Sequence, residues 1–364
     1  MTILCAQDFT PISPRIVSPR LMGFGGAYSA LEAGTDTLST NPAALAFTQP
    51  RWSFARTAAN VSGPLFDLPS AFKADDVTYE LLDLVQENNG IYIAAEATGP
   101  LAVSRVEKNV GFGFFNRTML LTDVPSLTKA TILVGEEVLL VGGYGLTVWE
   151  KGAHSLSVGL QLKGFFQVFV SESGTSITVI NRLTDMSLDN MPTILSTGFG
   201  LDAGLLYRFN QRLSAALVCR DVYTPTFITQ YPGLDDFIDG ESGSETDYER
   251  LPIYMVTGVA WDIPLPQRWT TITEWKVMAD YRDILAFTDA IYRNPVLNFA
   301  FGTEVTLLDT VSLRAGIADS YLCAGLGIDL TLCSIDLAMY GTELGIEPGE
   351  RAVFNLAFSL SFEY

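Results

Sequence analysis

Strict alternation of apolar and polar positions marks much of the chain and is clearest at its C-terminal end. From Phe354 to Tyr364 every even position is a large apolar residue, whereas the odd positions are Asn, Ala, Ser and Glu. Successive side chains of a β-strand point to opposite faces of the sheet, so this segment predicts a strand between two different media. The same alternation recurs in residues 156–162, 199–209, 297–301, 311–317 and 322–330.

Two all-β architectures produce this pattern: a soluble sandwich with one buried face, and a membrane barrel with one lipid-facing face. The second face is rich in Gly, Ala and Ser rather than Lys and Glu, which indicates an enclosed surface. Most candidate strands also reach the roughly 9–11 residues needed to cross a bilayer. We therefore favour a transmembrane antiparallel β-barrel, with the sandwich as the alternative.

The candidate strands number about 14, and bacterial barrels have an even number of strands, so 12 and 16 stay open. The candidates centre on 51–60, 91–104, 110–121, 136–149, 155–170, 197–209, 212–222, 252–262, 269–281, 296–308, 310–318, 322–330, 333–341 and 352–364.

The first 50 residues do not alternate. A glycine-rich run at 23–26 leads into residues 27–33, which predict a short helix ended by Gly34. Asn41-Pro42 predicts a second helical start, because Asn is a good N-cap and Pro is favoured at the first helical position. A compact segment before the first strand fits best inside the lumen. We therefore predict a plug over 1–50 and a barrel over 51–364, with short helices near 75–89 and 282–293.

Composition excludes several classes of function. The chain has 364 residues, 41 acidic and 22 basic, and a net charge of −19, which argues against nucleic-acid binding. One His and four Cys without a CxxC pair predict neither a metal site nor a cofactor. No charge-free run reaches 18 residues, so a transmembrane helix is not expected.

Two segments outside the predicted strands have a distinct composition. Residues 234–249 contain seven acidic residues and no basic one, but their spacing matches no EF-hand loop. We therefore predict a solvated loop, to which the sequence assigns no role, rather than a calcium site. Residues 1–7 resemble the end of a signal peptide, with the small residue Ala6, and an ordinary N-terminus is the alternative.

Gly26-Ala27-Tyr28-Ser29, the stretch 33–36 and Asn41-Pro42-Ala43 resemble, in order and spacing, the N-terminal hatch of the FadL family. Members of that family are outer-membrane transporters of long-chain fatty acids and other hydrophobic compounds. The last 45 or so residues, including 324–330 and 333–340, resemble PorV and PorQ-type proteins and uncharacterised FadL-like paralogues of spirochaetes. PorV and PorQ-type proteins share the fold and serve protein secretion.

The resemblance implies a 14-stranded barrel in the bacterial outer membrane, plugged by its N-terminus. It implies passive uptake, with an amphiphile held in an apolar lumen pocket and released by hatch movement or through a side opening. It also implies contact with outer-membrane lipid and with the barrel-assembly machinery through the strand 354–364. A PorV-like partner in protein secretion or surface attachment is the alternative function.

Candidate site residues follow from the hatch and from the inward face of the strands. The hatch motif consists of Gly23, Gly26, Asn41, Pro42 and Ala43. We expect the inward-facing charges to form ion pairs that hold the hatch, with Lys276 paired to Glu274. We expect a ligand carboxylate to need a cation when it is desolvated. The predicted ligand-binding residues are Arg220, Arg314, Phe24, Tyr28, Leu31, Phe165 and Phe169.

Two other functions of a barrel have requirements that this sequence does not meet. A barrel lipase would need a Ser–His pair, and the one candidate, His154-Ser155, consists of adjacent residues that point to opposite faces of a strand. The chain is therefore not expected to be an enzyme. An open porin would lack a plug, and the 50-residue N-terminal segment argues against it.

Overall fold

The computed structural model describes residues 11–65, 77–87, 90–126, 128–177, 191–240, 243–244, 246–288 and 293–364. Fourteen strands form a closed antiparallel ring, because the first strand (Arg51–Ser62) pairs with the last (Ala352–Glu363) and the strand His154–Gly174 pairs with the strand Thr193–Phe209. The ring strands are β1 (Arg51–Ser62), β2 (Ile91–Glu107), β3 (Val110–Ser126), β4 (Lys129–Lys151), β5 (His154–Gly174), β6 (Thr193–Phe209), β7 (Leu213–Tyr223), β10 (Tyr254–Asp262), β11 (Ile272–Tyr281), β12 (Phe299–Leu307), β13 (Val311–Ala318), β14 (Tyr321–Leu330), β15 (Cys333–Glu343) and β16 (Ala352–Glu363).

The prediction of about 14 barrel strands is confirmed, and each predicted segment corresponds to one strand of the ring. Several strands are longer than predicted: β4 has 23 residues and β5 has 21. Other strands begin later than predicted. β10 begins at Tyr254 and β11 at Ile272, and β12 begins at Phe299 because Leu297 is buried in a preceding 3₁₀ turn.

Two strands outside the ring were not predicted. β8 (Pro225–Tyr231) pairs with the first residues of β6, and β9 (Asp247–Arg250) pairs with β8. Together they form a hairpin that includes part of the predicted acidic loop, and the helix Leu234–Ile238 lies between them. Glu241 and Glu245 of that loop lie outside the described residues.

The two ends of the barrel differ in their connections. At the end where β1 begins, the connections are short, and the longest of them spans residues 263–271. We call this the turn end and the opposite one the loop end. In bacterial outer-membrane barrels, the short turns face the periplasm and the longer loops face outward.

Burial along the strands follows the predicted alternation. In β16 the side chains at odd positions from Val353 to Ser361 are buried, and Leu356, Phe358 and Phe362 at even positions are exposed. The buried row therefore faces the lumen and the exposed row faces outward. Exposed Leu, Val, Phe and Trp side chains recur around the ring, giving the apolar outer surface that lipid contact requires.

The N-terminal part of the described chain lies inside the ring and is called here the lumen segment, residues 11–50. It contains the helix Pro19–Gly23 and the 3₁₀ turns Gly34–Ser39 and Pro42–Phe47. The second predicted helical start, at Asn41-Pro42, is confirmed as the 3₁₀ turn. The helix predicted over 27–33 is wrong, because the N–H groups of Tyr28 and Ser29 donate to a carboxylate of the barrel wall, which holds this stretch in a turn.

Outside the ring, the described helices include Val77–Glu87, which corresponds to the helix predicted near 75–89. The 3₁₀ turns Ile284–Thr288 and Pro295–Asn298 follow β11, and residues 289–292 of the helix predicted over 282–293 lie outside the described residues. No helix in the described part of the chain is both long enough and apolar enough to span a membrane.

Candidate functional site

Asn41, Pro42 and Ala43 join the lumen segment to the barrel wall. The Asn41 side chain accepts a hydrogen bond from the Ala43 N–H (2.9 Å) and donates to the carbonyls of Ser29 (2.9 Å) and Leu205 (3.1 Å). All three motif residues are fully buried. A single amide therefore caps the 3₁₀ turn, ties it to the preceding turn and fixes it to β6.

The glycine-rich run permits a second close approach to the wall. Gly23 packs against Gly325 of β14, and an added Cβ would lie 3.0 Å from the Gly325 Cα. Phe24 is fully buried and lies against Gly302 and Gly316. Gly26 has φ +69°, a left-handed conformation that favours glycine. Missing side chains on both surfaces therefore allow this contact.

Asp280 of β11 holds the turn at residues 27–30. Its carboxylate accepts hydrogen bonds from the N–H groups of Tyr28 (3.0 Å) and Ser29 (2.9 Å) and from the Ser29 hydroxyl (2.8 Å). The side chain is buried. Three donors from the lumen segment thus meet one carboxylate of the barrel, which makes Asp280 a strong point of attachment.

Ion pairs add further links between the lumen segment and the wall. On the turn side, Asp36 pairs with Arg56 (2.7 Å), and Arg20 pairs with Glu304 (3.3 Å). On the loop side, Arg15 pairs with Glu96. The expectation that inward-facing charges form ion pairs agrees with this arrangement, and Lys276 lies 2.7 Å from Glu274 as expected.

A cavity of about 830 Å³, the loop-side cavity, lies between the lumen segment and the loop end of the barrel. Its surface is mostly apolar, with a smaller set of charged and hydroxyl-bearing side chains. Its apolar and aromatic lining includes Ile12, Met22, Met119, Leu121, Leu133, Leu344, Val353, Tyr92 and Tyr340. Its charged lining consists of Arg15, Arg117, Arg282, Glu96 and Asp319.

A second cavity of about 400 Å³, the wall cavity, adjoins the first, because Arg15, Met22 and Arg282 line both. Its lining includes two of the predicted ligand-binding residues, Arg220 and Tyr28, and Gly26 and Pro42 of the hatch motif. The Arg220 guanidinium donates to the Ser39 carbonyl (2.7 Å) and the Tyr28 hydroxyl (3.3 Å). The structure thus brings one predicted cation and one predicted aromatic residue together.

The remaining predicted aromatic and apolar residues lie at different depths. Phe165 and Phe169 are buried on the inner wall, and Phe169 packs with Met119 and Leu133, which line the loop-side cavity. Phe24 is enclosed by the wall, as described above. Leu31 instead lines a cavity of about 160 Å³ on the turn side, together with Arg208 and Asp262. These residues therefore do not form one pocket.

Arg314 lies away from Arg220, although both are predicted to bind the ligand. Its guanidinium pairs with Glu304 (2.6 Å) and Asp336 (2.6 Å), and it lines a cavity of about 290 Å³ on the turn side. Eight acidic and five basic side chains line this turn-side cavity. Two carboxylates already neutralise Arg314, so we give it a structural role and no longer assign it to the ligand.

His154, weighed above as a partner of Ser155, lies at the start of β5 at the turn end. Its Nδ1 atom is 2.5 Å from the Tyr207 hydroxyl, and its ring lies beside those of Trp149 and Phe209. This group resembles the aromatic girdle that barrels place at the membrane interface.

Several residues that line the loop-side cavity were not selected from the sequence. Met119 and Leu121 of β3 face inward, and strand alternation would have identified them. Arg15 and Met22 belong to the lumen segment, where no period of 2 or 3.6 residues predicts side-chain direction. Their contribution depends on tertiary contacts that leave no signal in the sequence.

The barrel wall is interrupted next to the wall cavity. β7 and β10 pair as far as Arg220 and Tyr254, and β8 and β9 pair from Pro225 and Arg250. Between these points no ladder pair joins residues 221–223 to 251–253, which are all described, although Leu251 donates to the Thr224 carbonyl (3.1 Å). Leu251 and Pro252 line the wall cavity, so the wall is weakly bonded beside Arg220.

Two solved structures are similar to the chain over nearly its whole length. The toluene transporter TbuX of Ralstonia pickettii aligns with a TM-score of 0.55 at 12% identity, covering 95% of this chain and 97% of that one. The toluene transporter TodX of Pseudomonas putida aligns with a TM-score of 0.51 at 11% identity, covering 96% and 98%. No family profile and no curated protein match the sequence. The chain therefore has the fold of these two transporters, a 14-stranded transmembrane β-barrel.

Proposed function

We propose that the chain is a FadL-type transporter of the bacterial outer membrane that takes up hydrophobic compounds passively. Its expected ligand is a long-chain fatty acid or a similar amphiphile. The observation that carries the proposal is the loop-side cavity of about 830 Å³, mostly apolar and closed on its turn side by the lumen segment. Each alkyl methylene buried there contributes about 0.8 kcal/mol, so a long chain gains affinity without an aqueous pore. Two transporters of an apolar compound, toluene, have the same fold, which is consistent with this proposal.

Arg220 is the proposed partner of the ligand's polar head. Four basic and two acidic side chains line the wall cavity, so a negative headgroup is favoured there. The two acidic residues, Asp202 and Asp221, both pair with Lys163 (2.9 and 2.8 Å). Among the described carboxylates none forms an ion pair with Arg220, whose protein partners are a carbonyl and a hydroxyl. A ligand carboxylate would supply the missing charged partner.

Two routes of release fit this site. The lumen segment, acting as a hatch, would shift away from the wall and open the way to the turn end. Alternatively, the interruption between β7–β8 and β9–β10 would part, and the ligand would leave sideways into the bilayer. The second route begins beside Arg220 and crosses few backbone hydrogen bonds. It also keeps an alkyl chain out of water.

A titration in lipid nanodiscs tests the proposal, with palmitate and hexadecanol as probes and wild type compared with Arg220→Ala. We expect both probes to bind wild type and the variant to bind palmitate roughly tenfold more weakly, with hexadecanol affected less than about twofold. Arg208→Ala is the matched control, because Arg208 faces the lumen but stacks on Phe47 on the turn side. If neither probe binds wild type, the uptake function is wrong.

The hairpin β8–β9 favours a second candidate, a PorV-like partner in protein secretion. β9 pairs with β8 along one edge, and its four residues are all exposed. An exposed edge can receive a strand from another protein. Failure of both probes to bind, together with co-purification of a secretion subunit that deletion of residues 225–250 abolishes, would favour this candidate over uptake.

A further inference from the structure

Arg15 connects the lumen segment to the loop-side cavity. Its guanidinium pairs with Glu96 of β2, but 58% of its side chain remains exposed, whereas only 9% of the Glu96 side chain is exposed. Arg15 lines both the loop-side cavity and the wall cavity. A headgroup that passes from the first cavity to Arg220 therefore meets Arg15 on the way.

Glu96 has a second cationic neighbour. Arg117 of β3 lies 3.7 Å from it and also pairs with Glu137 (3.0 Å), to which Gln167 donates a hydrogen bond (2.6 Å). Arg117 and Glu137 are almost fully buried in the wall. Glu96 would therefore keep a positive partner if Arg15 left it. In this chain of charges Arg15 is the exchangeable member, because it alone belongs to the lumen segment.

The other ion pairs of the lumen segment are not exposed to a ligand in this way. Arg20–Glu304 and Asp36–Arg56 contribute to the lining of the turn-side cavity, on the opposite side of the segment. Of the described ion pairs between segment and wall, Arg15–Glu96 is the one that lines the loop-side cavity.

We propose that an anionic headgroup in the loop-side cavity competes with Glu96 for Arg15, so that ligand binding detaches residues 11–16 from the barrel wall. The inference rests on the proposed function and adds how binding is coupled to movement of the hatch. A neutral ligand of equal length fills the cavity but leaves the Arg15–Glu96 pair intact. Charge, rather than bulk, is the signal for release.

Hydrogen-exchange mass spectrometry of the full chain in nanodiscs tests this coupling. The measured quantity is the exchange of backbone amides in residues 11–16, with palmitate or hexadecanol added at saturating concentration. In wild type we expect palmitate to raise the exchange rate roughly tenfold, because losing one charge-assisted interaction changes an equilibrium by about that factor. Hexadecanol should leave the exchange rate unchanged. Glu96→Gln should exchange fast without ligand and gain little from palmitate.

Two further variants separate the proposal from a general loosening of the segment. Arg15→Gln should bind palmitate more weakly, keep its affinity for hexadecanol and lose the exchange response. Arg20→Gln, the matched control on the turn side, should keep both the palmitate affinity and the response. A difference in gel migration between unheated and heated samples shows that each variant forms a folded barrel.

The results distinguish this inference from the function on which it rests. Palmitate binding to wild type without a change in exchange, or with the same change as hexadecanol, overturns the coupling and leaves uptake intact. The coupling is also wrong if Glu96→Gln and Arg15→Gln both show the same palmitate-induced increase in exchange as wild type. If neither probe binds, the proposed uptake and the coupling both fail.

Discussion

At the scale of single residues, glycines on the inner wall set the distance between the lumen segment and the barrel. A Cβ at Gly159 would overlap the backbone of Pro42 and Ala43, and one at Gly204 would overlap the Asn41 side chain. The Asn-Pro-Ala motif thus depends on missing side chains in β5 and β6. The sequence displays the motif and the glycines separately, but only the fold shows that they meet.

Gly159→Ala should therefore displace the 3₁₀ turn Pro42–Phe47. We expect a loss of roughly 1–3 kcal/mol in the free energy of unfolding, as for an overpacked core. Urea unfolding in lipid vesicles measures it. Gly164→Ala is the control on the same strand, because an added Cβ there meets no atom within 4 Å. Equal losses in the two variants would contradict the contact.

Asp280 allows a second test at this scale. Asp280→Asn keeps the shape of the side chain but turns one acceptor oxygen into an amide donor that faces the donors of Tyr28 and Ser29. We expect the barrel to remain folded and the amides of residues 27–30 to exchange faster, at a cost of roughly 1–3 kcal/mol for the unpaired donors. Asp329→Asn, at an exposed position of β14, should leave this exchange unchanged.

The residue scale also shows why the candidate site was only partly predictable. Alternation tells which side chains face the lumen, and by that criterion Arg220 and Arg314 are alike. It does not tell their height along the barrel axis, which separates the wall cavity from the turn-side cavity. Counting residues from each strand end, at about 3.3 Å per residue, would have placed them nearer opposite ends.

At the scale of elements, the period of two predicted the ring strands because each of them separates lipid from a packed lumen. β9 was missed for the same physical reason. β9 reads Asp-Tyr-Glu-Arg with every side chain exposed, so it has no apolar and polar face to alternate. The helix predicted over 27–33 does not form because of a tertiary contact. The N–H groups of Tyr28 and Ser29 donate to the Asp280 side chain of the barrel wall.

The orientation of β16 gives a prediction at this scale. Phe358→Arg, on the outward face, should cost about 2–4 kcal/mol if the position lies near mid-membrane. Ser359→Arg should cost less, because Ser359 faces the lumen opposite Asp336, which can pair with the new cation. Refolding of both variants into bilayers measures the difference. Equal costs would contradict the assigned faces.

At the scale of the whole molecule, the lumen segment divides the interior of the barrel into two sides. Deleting residues 1–46 should leave a folded barrel, because the ladder of the ring uses no residue before Arg51. The conductance in planar bilayers should rise, since the segment fills the lumen between the two ends. Deletion of residues 1–10 alone is the control. Unchanged conductance in the longer deletion would mean that the segment is not a plug.

The charge of the turn-side cavity has a consequence for ion selectivity. After removal of the segment, six acidic and four basic barrel side chains still line that end. Rings of Asp and Glu select for cations, so the opened pore should carry a cation current and show a reversal potential shifted accordingly in a salt gradient. For a fatty-acid anion the same field is a barrier that rises toward the periplasm. For the anionic ligand proposed above, this barrier would favour the sideways route into the membrane plane over exit along the lumen axis.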